Sequence, residues 1–233
     1  LSASTGTFTG NVGIGTTSPA VALETSGDMA VSDTSTASKR LQLSAGASDH
    51  TINSANYGSD MMDLNIQAEN TIFKNGLIGV VESMKINSAG IITKPLQPCF
   101  SAGRSSTLAN IATNSMVTIN LNSEKYDQNN DFSDPNFTAP VTGKYQLSAI
   151  WYMNALDISA AYYILRIDTS NRSYDHVVDS SARDEDETYS SYTLSVLADM
   201  DAGDTASIGI YQQDGAPQTD ITAGTYFTGC LVA

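Results

Sequence analysis

The sequence predicts an all-β protein, with a β-rich shaft over residues 1–97 and a β-sandwich head over residues 98–233. Three observations lead there. Of the first forty residues, 25 are Gly, Ala, Ser or Thr, too little apolar area to fold as a lone globule. From Cys99 onward, runs rich in Tyr, Ile, Val, Leu and Thr alternate with turn residues at a two-residue period. Helical spacing fits none of these runs well, and no apolar run in the chain approaches the roughly 18 residues of a membrane span.

Within the shaft, short β-type segments recur between turn residues at Asn11–Gly15, Leu41–Leu43, Met62–Ile66, Thr71–Phe73 and Met84–Ile86. Gly13-Ile14-Gly15-Thr16 running to Pro19 is echoed by Gly90-Ile91-Ile92-Thr93 running to Pro95, as a modular shaft would be. Such a segment becomes ordered by packing against copies of itself or serves as a flexible linker. The prolines of Lys94-Pro95-Leu96-Gln97-Pro98 mark the domain boundary. Leu1 is not a methionine and no signal-type stretch follows it, so the chain reads as a piece of a longer protein.

Phe8-Thr9-Gly10-Asn11-Val12-Gly13-Ile14-Gly15-Thr16-Thr17-Ser18-Pro19 resembles a segment common in bacteriophage tail fibres. Ser83-Met84-Lys85-Ile86-Asn87-Ser88-Ala89-Gly90 resembles, more loosely, the stretch that often adjoins it there. The resemblance implies an intertwined trimeric β shaft. Similar segments occur in bacterial surface proteins, so a non-viral adhesion or matrix protein is the alternative.

The head divides into eight expected strands, at Cys99–Gly103, Ser115–Leu121, Lys144–Asn154, Ala160–Asp168, Ser173–Asp179, Glu187–Ala198, Thr205–Gln213 and Thr222–Val232. In the third, Tyr145, Leu147, Ala149, Trp151 and Met153 share one face. In the sixth, Tyr192, Leu194, Val196 and Ala198 do so. Eight strands without a helix make a sandwich. Phe137-Thr138-Ala139-Pro140-Val141-Thr142-Gly143-Lys144-Tyr145, the closing Tyr226-Phe227-Thr228-Gly229-Cys230-Leu231-Val232, Tyr126-Asp127 with Asp131-Phe132, and the Leu197 to Gly203-Asp204 turn resemble the C1q/TNF-like jelly-roll family. Ser133-Asp134-Pro135-Asn136 is an insertion relative to that pattern. The resemblance implies a tight homotrimer that recognises a ligand and performs no catalysis.

Charge and motifs exclude several functions. The chain has 11 Lys+Arg against 25 Asp+Glu, a net −14; residues 1–98 carry −3 and residues 99–233 carry −11. Nucleic acid as a partner needs a basic footprint that is absent. Gly10, Gly13 and Gly15 follow the order G-x-x-G-x-G without the Lys-Ser/Thr of a phosphate loop, and read as turn residues. Asp184-Glu185-Asp186-Glu187 offers oxygen donors to Ca²⁺, against the simpler reading of a solvated loop beside Arg183. No other cofactor is expected. Asp199, Asp201 and Asp204 lack the spacing of a calcium loop and read as a turn with Gly203. His50 and His176 are isolated, His176 at an exposed or edge position, so no nucleophilic triad is assembled. A fibre-borne polysaccharide hydrolase is the least supported alternative, since no long repeat builds a groove. Cys99 and Cys230 fall in the first and last head strands, which neighbour each other in a jelly roll; two small buried apolar residues are favoured over a disulfide.

The resulting expectation is the C-terminal part of a homotrimeric viral tail fibre. Its head would bind a host cell-surface receptor, a glycan among the candidates, and the preceding part of the fibre would join other tail proteins in the virion. If strands alternate in direction, the connections Arg104–Asn114, Ala155–Ser159, Ser180–Asp186 and Asp214–Ile221 share the end remote from the shaft. The expected ligand-binding residues there are Arg104, Asp157, Arg183, Asp184, Glu185, Asp186, Asp214, Gln218 and Asp220.

Overall fold

Period-two alternation of apolar and polar side chains forces extended backbone, and the structure is built of strands throughout the residues it describes, with no helix among them. It is a computed structural model describing residues 10–14, 17–18, 23–25, 29–32, 39–45, 50–56, 66, 68–75, 81–180 and 184–233. The chain divides into two units, Leu1–Glu69 and Asn70–Ala233.

In the first unit, β1 (Val12–Ile14) pairs in parallel with β2 (Leu23–Thr25). β3 (Met29–Ser32), β4 (Lys39–Ala45) and β5 (His50–Asn56) form an antiparallel meander. The expected segments at Asn11–Gly15 and Leu41–Leu43 overlap β1 and β4, whereas most of Met62–Ile66 lies outside the described residues.

The second unit opens with another meander of β6 (Thr71–Asn75), β7 (Val81–Ile86) and β8 (Ile92–Thr93). Two stacked sheets follow. One has the order β11 (Ser123–Asp127), β9 (Cys99–Gly103), β20 (Tyr226–Leu231), β14 (Gly143–Leu156), β17 (Glu187–Met200), with β19 (Asp220–Ile221) also paired to β14. The other has the order β12 (Phe132–Ser133), β13 (Asn136–Thr138), β18 (Thr205–Gln213), β15 (Tyr162–Thr169), β16 (Ser173–Asp179), with β10 (Met116–Thr118) also on β18. Every pairing in the two sheets is antiparallel, and the chain crosses repeatedly from one sheet to the other. This is a jelly roll.

The alternating faces meet as expected. Tyr145, Leu147, Ala149, Trp151 and Met153 of β14 are fully buried, facing Tyr163, Leu165 and Ile167 of β15 and Ile208 and Ile210 of β18 across the core. Phe100 stacks on Phe137 at 4.6 Å and on Phe132 at 5.3 Å, and meets Phe227 edge-on at 5.1 Å. Gly229 is fixed by this cluster: a Cβ there would lie 2.6 Å from Leu147 Cδ2 and 2.7 Å from Phe100 Cε1.

Three expectations are corrected. The strand expected at Ser115–Leu121 shrinks to β10; the place beside β18 is shared with β13, which occupies its other half. Two-residue strands such as β12 and a charged edge strand such as β11 carry no apolar periodicity to read. The last expected strand, Thr222–Val232, shortens to β20, because Thr222–Thr225 form a turn after β19 in which Thr225 N donates to Thr222 O at 3.1 Å. Cys99 and Cys230 are joined as a disulfide rather than left as separate apolar residues. The register of β9 on β20 pairs them directly, with Cα atoms 4.1 Å apart. His176 sits on edge strand β16, half-buried, its ring 5.9 Å from that of Tyr192.

Candidate functional site

The ladder registers fix the direction of every long strand. Cys99 pairs with Cys230 and Gly103 with Tyr226, so β9 and β20 run oppositely. Tyr145 pairs with Leu231 and Ala198, and Leu156 with Glu187; Tyr162 pairs with Gln213 and Asp179. The segments after Gly103, between β14 and β15, between β16 and β17, and between β18 and β19 therefore lie at one end of the sandwich. Lys94–Pro98 lies at the other. There Gln97 Nε2 donates to Leu231 O at 2.5 Å, Gln128 Nε2 to Lys94 O at 2.8 Å and Asn129 Nδ2 to Leu96 O at 2.9 Å. The turn expected at Asp199–Asp204 closes this same end, with Gly203 at φ 96°.

At the loop end, polar side chains from all four connections are tied to one another. Asn110 N donates to Asp220 Oδ1 at 2.8 Å. Asn114 Oδ1 accepts from Asp214 N at 3.0 Å and from Gln213 Nε2 at 2.9 Å. Asp186 Oδ1 accepts from Ile158 N at 3.0 Å, and its Oδ2 accepts from Gln218 Nε2 at 2.8 Å. Asp157 accepts from Ser159 N at 2.8 Å and also from Ala216 N. Beneath them the buried Tyr163 hydroxyl bonds Thr219 Oγ1 at 2.8 Å and receives Asp157 N at 2.9 Å. Burial pushes that phenol above its ordinary pKa. The two donors to Asp186, the Ile158 amide first, hold its carboxylate below the ordinary range.

Local sequence explains the shape. Asn110, Asn114 and Asp214 adopt left-handed backbone at φ 55°, 57° and 60°, which Asn and Asp tolerate better than most residues. Ala155 does so at φ 49° without that help. Gly215, at φ 73°, leaves room that a Cβ would take from the Asp157 carboxylate. Between these loops lies an open cleft of about 350 Å³ lined by Asn154, Ala155, Asp186, Glu187, Thr188, Gln218 and Asp220.

The expected site residues fare differently. Asp184, Glu185, Asp186 and Asp214 are exposed, and Gln218 and Asp220 half-exposed. Arg183 lies outside the described residues. Arg104 and Asp157 correct the surface expectation, for both are buried. The Arg104 guanidinium donates to Asn120 O at 2.7 Å and Ser106 O at 3.0 Å, so it braces its own loop. The sequence reading missed Asn110, Asn114, Tyr163 and Thr219; only the asparagines gave a signal, as turn formers in an apolar-poor stretch. Among the described residues, no group of three or more His, Cys, Asp or Glu side chains is arranged to hold a metal ion. No helix among them is long and apolar enough to cross a membrane.

No protein-family model and no curated protein matches the sequence. Among solved structures, the chain is similar to the globular domain of zebrafish complement 1qA, at 20% identity over 59% of this chain and 98% of that one, with a TM-score of 0.44. It is similar to murine APRIL at 10% identity over 58% and 99%, with a TM-score of 0.41. It is also similar to PRD1 vertex protein P5 at 12% identity over 59% and 98%, with a TM-score of 0.37. The strand order of the two sheets is the ground for the jelly-roll assignment.

Proposed function

We propose that this chain is the receptor-binding end of a homotrimeric viral tail fibre, attaching to a host cell surface through the loop end of its head. The observation that carries the reading is the convergence of four connections, from both sheets, on the end opposite Lys94–Pro98. A sandwich presenting loops away from its tether is suited to contact. The tail-fibre assignment draws on the resemblance of residues 8–19 to fibre segments. A binding role fits the chemistry of the described loop end, where the carboxylates of Asp157, Asp186 and Asp220 each accept backbone or side-chain N–H groups and so brace the loops.

Trimerisation is supported by one outer sheet face. Between Lys144 facing Asp199 at one end and Glu187 at the other, the outward residues Gln146, Ser148, Ile150, Tyr152 and Asn154 of β14 and Tyr189, Ser191, Thr193, Ser195 and Leu197 of β17 carry no charge. Tyr189 is 63% exposed, Leu197 58% and Ile150 42%, and Tyr152 stacks on Tyr189 at 6.2 Å. Three copies of a head carrying −11 approach one another most readily through a stretch that carries no charge.

The test is binding of the full chain to candidate host cells. Thr219 and Ile221 are buried, so only exposed loop tips are altered, as Asp184→Ser, Glu185→Ser and Asp214→Asn combined. Binding should fall while a folded trimer persists. Binding that survives this change but is lost on altering Asn171 and Arg172 would place the contact at the opposite end and overturn the reading.

A further inference from the structure

The outer face of the second sheet carries Arg166, Asp168, Asp175 and Asp179 and, near the loop end, an ordered aromatic pair. Tyr162 begins β15 and Tyr211 lies on β18, both half-buried, with ring centroids 6.1 Å apart and planes tilted by 30°. Both hydroxyls donate to Gln213 Oε1, Tyr211 at 2.6 Å and Tyr162 at 3.4 Å. Gln213 Nε2 donates in turn to Asn114 Oδ1 at 2.9 Å, which also holds the backbone of Asp214. The core gains nothing from this chain of bonds, because Tyr162, Tyr211 and Gln213 all point away from it. Its effect is to fix two half-exposed aromatic rings side by side on the outer face of the sheet.

We infer that Tyr162 and Tyr211 form a sugar-stacking platform for a neutral or amino-bearing pyranose of a surface glycan. The C–H groups on the apolar face of a pyranose carry partial positive charge, and the face of a tyrosine ring is negative. Rings held in place before binding lose little rotamer freedom when a sugar settles on them. Asp179, which pairs with Tyr162 across the ladder, and Asp214, beside Gln213, are exposed carboxylates next to the rings, and Asp214 accepts sugar hydroxyls or an ammonium group. With the head at −11, the same carboxylates repel sulfated or uronic-acid chains. The platform is open rather than a cage, so it selects a flat face over a compact cation. The inference rests on the host-attachment reading only for the source of the glycan.

The experiment applies the full chain to an array of purified bacterial surface polysaccharides that includes neutral, amino-sugar and anionic chains. Binding to neutral or amino-sugar chains is expected. Tyr162→Ala with Tyr211→Ala should weaken it by about tenfold or more, the scale on which buried aromatic contacts act in recognition. Gln213→Ala, which keeps both rings but frees their hydroxyls, should weaken it less. Melting curves check the fold, and Tyr211→Leu serves if the double variant is unstable. Absence of glycan binding, binding to anionic chains only, or undiminished binding by a folded Tyr variant overturns the platform. If cells are bound but no glycan is, and protease treatment of the cells abolishes binding, the receptor is a protein and only the platform falls. If glycans are bound but no cell is, the platform stands and the host-attachment reading falls.

Discussion

The carboxylate of Asp157 accepts the backbone N–H of Ala216, joining the β14–β15 loop to the segment after β18 across 59 residues of sequence. The same group caps Ser159 N at 2.8 Å and is 4% exposed. One buried acid therefore satisfies two amides that water does not reach freely. Asp157→Ala is expected to cost about 1–3 kcal/mol, the penalty for leaving such donors unmade. Denaturant unfolding measures it, and amide exchange at Ser159 and Ala216 should accelerate ahead of the core strands. Gly215→Ala should strike the same point, since its φ of 73° and the nearby Asp157 carboxylate both oppose a side chain.

Trp151 tests the core. Its side chain is fully buried on the inner face of β14. Trp151→Ala should destabilise the head by about 3–5 kcal/mol. A surface-like effect, below about 0.5 kcal/mol in denaturant unfolding, would mean that the faces of β14 are reversed.

The core was the most legible part of this sequence, because burial alternates at period two and the eye needs only Tyr145, Leu147, Ala149, Trp151 and Met153 to see it. Strand direction follows from counting alternations, so the four connections fall at one end whether or not the short strands β10 to β13 are read. Those short strands are held by sheet neighbours distant in sequence, as when Phe137 pairs with Ala206, and no local pattern encodes that. The loop end was half legible. Acidic residues stood out, but whether each faces solvent or an amide depends on partners such as Ala216 for Asp157 and Ile158 for Asp186. Arg104 misled for the same reason: its charge promised exposure, while two carbonyls at short range let it be buried.

The disulfide gives a third prediction. It closes a separation of 131 residues between the first and last strands of the head. Tying such distant points restricts the unfolded chain, so changing both cysteines to serine should cost about 2–5 kcal/mol. Alkylation followed by mass spectrometry should find no free thiol in the native protein; two labelled cysteines would refute the bond.

Asp131 gives a pH-dependent one. Burial first, and the neighbouring Asp127 second, raise its pKa above the ordinary carboxylate value. Its Oδ2 is buried without a hydrogen-bond partner. The folded state thus binds the proton more tightly than the unfolded chain. The penalty for its charge is present above the raised folded pKa and vanishes below the ordinary value. Asp131→Asn should therefore raise the melting temperature at neutral pH, and the gain should disappear on acidification through the carboxylate range. A gain that is constant with pH would assign the effect to packing instead.

The uncharged middle of the outer face of β14 and β17, where Gln146 to Asn154 face Leu197 to Tyr189, sets the last prediction. Ile150 is 42% exposed there and pairs with Thr193 on one side and Tyr226 on the other. In an isolated head, Ile150→Glu places a carboxylate in water and should change stability by no more than about 0.5 kcal/mol. In a trimer joined through this face, the same change buries a charge without a partner, once in each copy, and desolvation alone disfavours that strongly. Sedimentation equilibrium should then find trimers for the parent chain and folded monomers for the variant. On the second sheet, Val177 is 62% exposed, opposite Ile164 and flanked on the same face by Asp175 and Asp179, so Val177→Glu adds one more charge to a charged surface and should leave the trimer intact. If Val177→Glu dissociates the assembly and Ile150→Glu does not, self-association runs through the charged sheet, and the Tyr162–Tyr211 pair beside it would be covered rather than presented.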